Sequence, residues 1–147
     1  MRKRGFTLIE ILIVVGIIAM LAAIVIIAIN PGRQFAQTRN TQRWANINSI
    51  LNAVHQNMID NKGTFTCAAG DIPTTSGAMT NEVGGYDICN CIVDIYIAEM
   101  PYDPVNGSYT DCANYNTGYN IFQNTTNHRI TVEAPQAEMG ATIRVTR

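Results

Sequence analysis

Glu10 is the residue of this 147-residue chain whose position most strongly suggests chemistry, because it stands at the head of a long apolar run. A carboxylate at the centre of such a segment costs about 2.5 to 3.5 kcal/mol, so an ionisable residue there is by default a functional candidate. The alternative is that Glu10, near the end of the segment, reaches back to the lipid headgroups.

The apolar run extends from Ile11 to Ile29 and contains thirteen Ile, Leu or Val residues and no polar side chain. As a helix it covers about 28 Å, close to the roughly 30 Å hydrocarbon core of a bilayer. We therefore predict a membrane-spanning helix. Arg2, Lys3 and Arg4 precede it, which places the N-terminus in the cytoplasm and the rest of the chain outside, although three arginines beyond the run weaken that asymmetry.

The overall composition excludes several classes of protein. Only 14% of the residues are charged and the formal net charge is −1, which argues against a dedicated nucleic-acid binder. The sequence contains no phosphate-binding glycine loop and no HExxH, GxSxG or CxxC motif. We interpret His55 and His128 as ordinary surface residues rather than catalytic bases, and we expect no enzymatic activity.

Four cysteines, Cys67, Cys89, Cys91 and Cys112, lie in the part of the chain expected outside the cytoplasm. Two disulfides are the natural interpretation, because a small exported domain needs such links. Cys89 and Cys91 are too close in sequence to pair easily, which leaves 67–89 with 91–112, or 67–91 with 89–112. A metal site is the alternative, but Cys-x-Cys is not the usual spacing of zinc ligands.

The string Gly5-Phe6-Thr7-Leu8-Ile9-Glu10, between a basic leader and the apolar helix, resembles the N-terminus of the type IV prepilin family. That family includes pilus subunits and the pseudopilins of type II secretion. The resemblance implies that a prepilin peptidase cleaves between Gly5 and Phe6 and methylates the new amine on Phe6. It also implies an intersubunit salt bridge between Glu10 and the Phe6 ammonium of a neighbouring copy.

The partners implied by the resemblance are the prepilin peptidase, an inner-membrane assembly platform and further copies of the chain in a helical filament. The membrane surrounds the helix before assembly, and nucleic acid is not expected as a primary partner. The leading hypothesis is a structural subunit, or pilin, of a type IV pilus or related extracellular filament at the cell surface. The alternatives are a pseudopilin of a type II secretion-like system, and a minor or tip pilin that acts as an adhesin or DNA-binding module.

A weaker resemblance concerns the segment from Pro101 to Gly107, which is similar to the Pro-x-Asp-Pro-then-Gly turn of the major pseudopilin. Because those relatives can bind calcium nearby, Asp103, Asn106 and Asp111 are candidate calcium ligands. The alternative is that these side chains only cap the local backbone, and we otherwise expect no cofactor. Asn106 and Asn124 also begin Asn-x-Ser/Thr sequences, whose modification depends on the host.

The remaining pattern predicts an α+β, pilin-like fold. Asn30-Pro31-Gly32 interrupts the first helix, and a second, amphipathic helix follows from Arg33 to about Asn61. Its apolar stripe consists of Trp44, Ile47, Ile50, Leu51, Val54 and Met58. Arg39 and Arg43 on this helix are interpreted as a solvated face, with an acidic neighbour in a filament as the alternative.

After a loop-rich stretch, three segments have the pattern of strands: Tyr119–Gln123, His128–Glu133 and Ala141–Thr146. We predict that they form a small three-stranded antiparallel sheet packed on the amphipathic helix. Tyr119, Ile121, Ile130, Val132, Ile143 and Val145 are expected to face that helix. The predicted organisation is a leader at 1–5, a transmembrane or filament-core helix at 6–32, an amphipathic helix at 33–62 and a globular domain at 63–147.

Overall fold

The structure is a computed structural model that describes residues 5–147. The chain divides into two compact units, one ending at Ala36 and the other comprising residues 37–147. The predicted leader residues Arg2, Lys3 and Arg4 lie outside the described residues.

Helix α1 extends over Leu8–Ile29 and helix α2 over Pro31–Asp60. Between them Asn30 adopts a left-handed conformation with φ 48°, which ends α1. The Asn30 side chain then accepts the Arg33 N–H at 3.3 Å, so the same residue caps the start of α2. The predicted interruption is thus confirmed, but α2 begins at Pro31, because a proline at the first helical position loses no hydrogen bond.

The apolar stripe of α2 is confirmed for its central members. Ile47, Ile50, Leu51 and Val54 are completely buried in the second unit. Trp44 departs from the prediction, since 41% of its surface is exposed. Its neighbour Arg43 is buried at this end of the stripe instead.

The second unit contains one antiparallel sheet and a short helix, and the α+β class is confirmed. The strands are β1 Gly77–Thr80, β2 Ser108–Asp111, β3 Asn114–Gln123, β4 Ile130–Ala134 and β5 Ile143–Thr146, and helix α3 is Cys89–Ile92. The order is β1-β3-β4-β5, with β2 also paired to β3. The prediction of three strands was therefore too low by the two four-residue strands. β1 and β2 lie in a polar, loop-like stretch without apolar alternation and are defined by their pairing with β3.

The three longer predicted strands are confirmed as β3, β4 and β5. Their predicted inward side chains form the core: Tyr119, Ile121, Ile130, Val132 and Ile143 are at most 2% exposed, and Val145 packs at the edge. The register aligns Ile121 with Val132 and Val132 with Val145 across neighbouring strands. Cross-strand apolar pairs of this kind stabilise one register of an antiparallel sheet.

Two disulfides cross-link the polar stretch between α2 and β3: Cys67–Cys91 and Cys89–Cys112, each with a Cα–Cα distance of 5.3 Å. This is one of the two arrangements that the sequence leaves open. Both bridges end on α3, which is thereby fastened to the segment after α2 and to the β2–β3 connection. Asn57 of α2 adds a hydrogen bond to the Cys91 carbonyl at 3.2 Å.

Removing either bridge should lower the free energy of unfolding by about 3 kcal/mol, because each closes a loop of more than 20 residues. The matched variants are C67S/C91S and C89S/C112S, compared by denaturant titration of the full chain. Mass mapping of non-reduced peptides should find 67 joined to 91 and 89 joined to 112. Four thiols that react freely with an alkylating reagent in the native protein would contradict both bridges.

Candidate functional site

The N-terminal segment contains the residues that the sequence singles out for processing. Gly5 and Phe6 are exposed, non-helical residues shortly before α1, and Phe6 is 85% exposed. Thr7 is the N-cap of α1, and Glu10 lies in the first helical turn. The predicted cleavage bond therefore lies outside the helix, two residues before the helix starts at Leu8.

The Glu10 carboxylate forms a capping box with Thr7. Its Oε2 accepts the Thr7 backbone N–H at 2.7 Å and the Thr7 hydroxyl at 2.8 Å, and the Thr7 hydroxyl oxygen accepts the Glu10 N–H at 3.3 Å. The second oxygen, Oε1, accepts no hydrogen bond from residues 5–147. Thr7 was not among the site residues predicted from the sequence, although the Thr-x-x-Glu spacing before an apolar run is the known signal for such a cap.

Helix α1 is apolar on every side. It is 22 residues long, and none of its residues is buried. Within residues 5–147 it is the one helix long and apolar enough to cross a membrane. Glu10 is its one charged residue.

The turn that contains Asp103 is anchored to the sheet in the second unit. The Asp103 N–H donates to the Thr117 carbonyl at 2.8 Å, and the Gly107 N–H donates to the Asp103 carbonyl at 3.0 Å. Gly118 has φ +69°, and a Cβ there would approach Asp103 Cβ to 2.9 Å. Two glycines thus allow the turn to lie directly against β3.

Arg43 of α2 reaches this turn and is 1% exposed. Its Nε donates to Asp103 Oδ2 at 2.6 Å and its Nη2 to Asp103 Oδ1 at 3.3 Å. Its Nη1 donates to Glu138 Oε2 at 2.8 Å, and Arg39 donates to both oxygens of Glu138. We call these four side chains, Arg39, Arg43, Asp103 and Glu138, the ionic cluster.

The interpretation of Arg43 as a solvated residue was therefore wrong. A signal was present in the sequence, since Arg43 precedes Ile47 and Ile50 by four and seven residues, which is the spacing of the apolar stripe. The sequence did not indicate which carboxylate pairs with Arg43. Asp103 is 60 residues away, and only the tertiary fold brings its carboxylate to the guanidinium.

Two of the three candidate calcium ligands, Asp103 and Asp111, accept hydrogen bonds from the protein itself. Both oxygens of Asp103 accept from Arg43, and its Oδ1 also accepts the backbone N–H groups of Val105 and Asn106. The Asp111 carboxylate caps the Ala113 N–H at 2.9 Å. Among residues 5–147 no group of three or more His, Cys, Asp or Glu side chains is arranged to hold a metal ion. The calcium site stays a prediction.

Neither histidine is a member of the ionic cluster. His55 Nδ1 is 2.7 Å from the Leu51 carbonyl one turn earlier on α2, and His128 is exposed in the β3–β4 loop.

The ionic cluster makes stability depend on acid. Hydrogen bonds from Arg39 and then Arg43 lower the pKa of Glu138 from 4.5 to about 2. Burial alone would raise the pKa of Asp103, but Arg43 and the Asn106 and Val105 amides outweigh it and hold that pKa below its usual value of 3.8. Because both groups bind protons more weakly in the folded state, their contribution is complete above their ordinary pKa values.

We expect the free energy of unfolding to fall as the pH drops from about 4.5 towards 2, and to fall less in E138Q, which cannot lose a charge there. Denaturant midpoints measured at several pH values in this range check the expectation. An E138Q variant with the same acid sensitivity as the parent would show that Glu138 contributes nothing to it.

Replacing Arg43 with methionine should cost about 3 to 5 kcal/mol, because Asp103 is left as an unpaired buried charge. The matched control is R144M, which removes an arginine that pairs with Glu133 at 3.2 Å while its side chain is 57% exposed. That change should cost no more than about 1 kcal/mol. Equal losses in chemical denaturation of the two variants would refute the structural role of the Arg43–Asp103 pair.

Comparison with known proteins bears on the N-terminal segment. Residues 1–29 match the family model of the prokaryotic N-terminal methylation motif. Comparison with curated proteins and with solved structures gave no match. The matched stretch covers Gly5, Phe6, Glu10 and the whole of α1, the make-up of a membrane-anchored precursor. The chain therefore carries the type IV prepilin-type signature at its N-terminus.

Proposed function

We propose that the chain is a structural subunit of a type IV pilus or related extracellular filament. It is inserted in the membrane by α1 with its C-terminal domain outside the cytoplasm, and it moves to the cell surface on assembly. The observation that carries this proposal is α1 itself, 22 residues without a buried side chain and with a single charge in the first turn. Such a helix is stable only where lipid or other apolar helices cover it.

Processing creates the cation that Glu10 needs. Cleavage of the exposed Gly5–Phe6 bond by a prepilin peptidase leaves a free amine on Phe6, four residues before Glu10. Methylation of that amine keeps it cationic. The leader and its three basic residues are removed in the same step, so the new N-terminus can enter an apolar filament core with one charge.

In the filament the Glu10 carboxylate pairs with the Phe6 ammonium of a neighbouring subunit. The geometry of the carboxylate supports this pairing. Its Oε2 accepts hydrogen bonds from Thr7, while its Oε1 accepts none from residues 5–147. A buried carboxylate without a partner is costly, so the pair forms at one axial offset and selects the register of the subunits. The aliphatic side chains of α1 then pack against equivalent helices and supply most of the cohesion.

The proposed partners are the prepilin peptidase, an assembly platform in the inner membrane and further copies of the chain. No catalytic role is assigned to any residue. The Nδ1 atom of His55 forms a hydrogen bond with the Leu51 carbonyl of its own helix, and His128 lies in an exposed loop.

A second candidate is a pseudopilin of a type II secretion-like system, and the Asp103 turn favours it. This turn resembles that of the major pseudopilin, and it is held against β3 and α2 by Thr117 and Arg43. Abundance and location separate the candidates. A major pilin dominates filaments sheared from the cell surface, a minor or tip pilin is a trace component of them, and a pseudopilin is absent from them.

Replacing Glu10 with alanine should reduce filament yield about tenfold or more, because the Phe6 ammonium then lacks a partner in the core. Filaments are counted in a shear fraction by immunoblot and electron microscopy. E10Q should fail in the same way, since an amide keeps the shape of the carboxylate but not its charge. E82A is the matched control, because Glu82 is an exposed carboxylate in a loop of the second unit.

The mutant protein must also be shown to reach the membrane and to be processed. In E10A the mass of the membrane-held chain should correspond to a start at Phe6, which separates a failure of assembly from a failure of cleavage. Normal filament numbers from both E10A and E10Q would rule out the salt bridge.

A further inference from the structure

The β3–β4 loop carries the sequence Asn124-Thr125-Thr126, the acceptor pattern for N-linked saccharides. Every residue from 124 to 129 is exposed. The base of the loop is closed by two backbone hydrogen bonds, Asn124 N–H to the Arg129 carbonyl and His128 N–H to the Asn124 carbonyl, both at 2.9 Å. The acceptor pattern therefore lies outside the core on a loop with a defined conformation.

The hydrogen bonds of the Asn124 side chain leave its amide nitrogen available for transfer. Its Oδ1 accepts the backbone N–H of Thr126 at 2.8 Å and that of Asn127 at 3.2 Å. Its Nδ2, the atom that would form the new bond, donates no hydrogen bond to any part of the described chain. Hydrogen bonds to the amide oxygen draw electrons from the nitrogen and make its protons more acidic. The Thr126 hydroxyl likewise makes no bond within residues 5–147 and is free for recognition.

The second acceptor pattern, Asn106-Gly107-Ser108, is held differently. The Asn106 N–H donates to Asp103 Oδ1 at 3.0 Å, and the Gly107 N–H donates to the Asp103 carbonyl at 3.0 Å. A Cβ on Gly107 would lie 2.5 Å from the Asp103 nitrogen, and Ser108 pairs with Asn116 in the sheet. An enzyme cannot bind this segment as a peptide without pulling it away from the buried Asp103.

We propose that Asn124, and not Asn106, is an N-glycosylation site of the folded domain. The donor class is a saccharide linked to a polyprenyl diphosphate. A bond forms between Asn124 Nδ2 and the anomeric carbon of the sugar, the bond from that carbon to the diphosphate oxygen breaks, and a base of the transferase takes the amide proton. The polyprenyl diphosphate leaves. The proposal rests on the proposed function in one respect, the location of the domain outside the cytoplasm.

The experiment is mass analysis of peptides from the full chain recovered from its native cells, with both acceptor segments covered. The peptide that contains Asn124 should carry the mass of a saccharide, and the peptide that contains Asn106 should be unmodified. T126V removes the recognised hydroxyl and should abolish the added mass, whereas T126S should keep it. S108A is the matched control at the other pattern and should change nothing.

Each outcome is decisive, because neither Thr126 nor Ser108 makes a side-chain hydrogen bond within residues 5–147, so these variants should fold. An unmodified Asn124, a saccharide on Asn106, or retention of the mass in T126V overturns the proposal. The outcome is separable from that of filament assembly, since E10A stays in the membrane with the same domain outside. A saccharide on Asn124 of E10A, together with a loss of filaments, would leave both proposals standing.

Discussion

The constraint on which the rest of this protein depends is that α1 has no face suited to water. All 22 of its residues are uncovered by the chain itself, and aliphatic side chains occupy every side of the helix. Backbone groups in such a segment are satisfied internally, so the helix is complete as a hydrogen-bonded element. The helix still needs an apolar environment. The proposed function supplies it first as lipid and then as other copies of the same helix.

Glu10 limits which surroundings are acceptable. In the single chain the capping box with Thr7 satisfies one carboxylate oxygen without any other residue, which helps the precursor to keep this charge at the end of an apolar helix. The other oxygen accepts no hydrogen bond from residues 5–147. Under the proposed function, the Phe6 amine arises only on cleavage, so processing and pairing would be linked by chemistry rather than by a conformational change.

The second unit combines a small apolar core with long polar loops. One face of α2 and one face of the sheet supply the apolar part, and covalent and ionic links hold the polar stretch in place. The two disulfides fasten α3, and the ionic cluster fastens the Asp103 turn and the loop that carries Glu138 to α2. A charged pair as well buried as Arg43–Asp103 confers little net stability against an apolar replacement, but it strongly penalises the loss of one partner.

The sequence by itself determined the elements whose signals are local. The apolar run, the Asn30 break, the stripe from Ile47 to Val54, and the alternation in β3, β4 and β5 depend on residues a few positions apart. Tertiary structure decided which cysteines pair, since both arrangements have similar loop lengths, and it created β1 and β2 through their pairing with β3. It also turned Arg43 inward, because burying a guanidinium is favourable only where a carboxylate 60 residues away in sequence meets it.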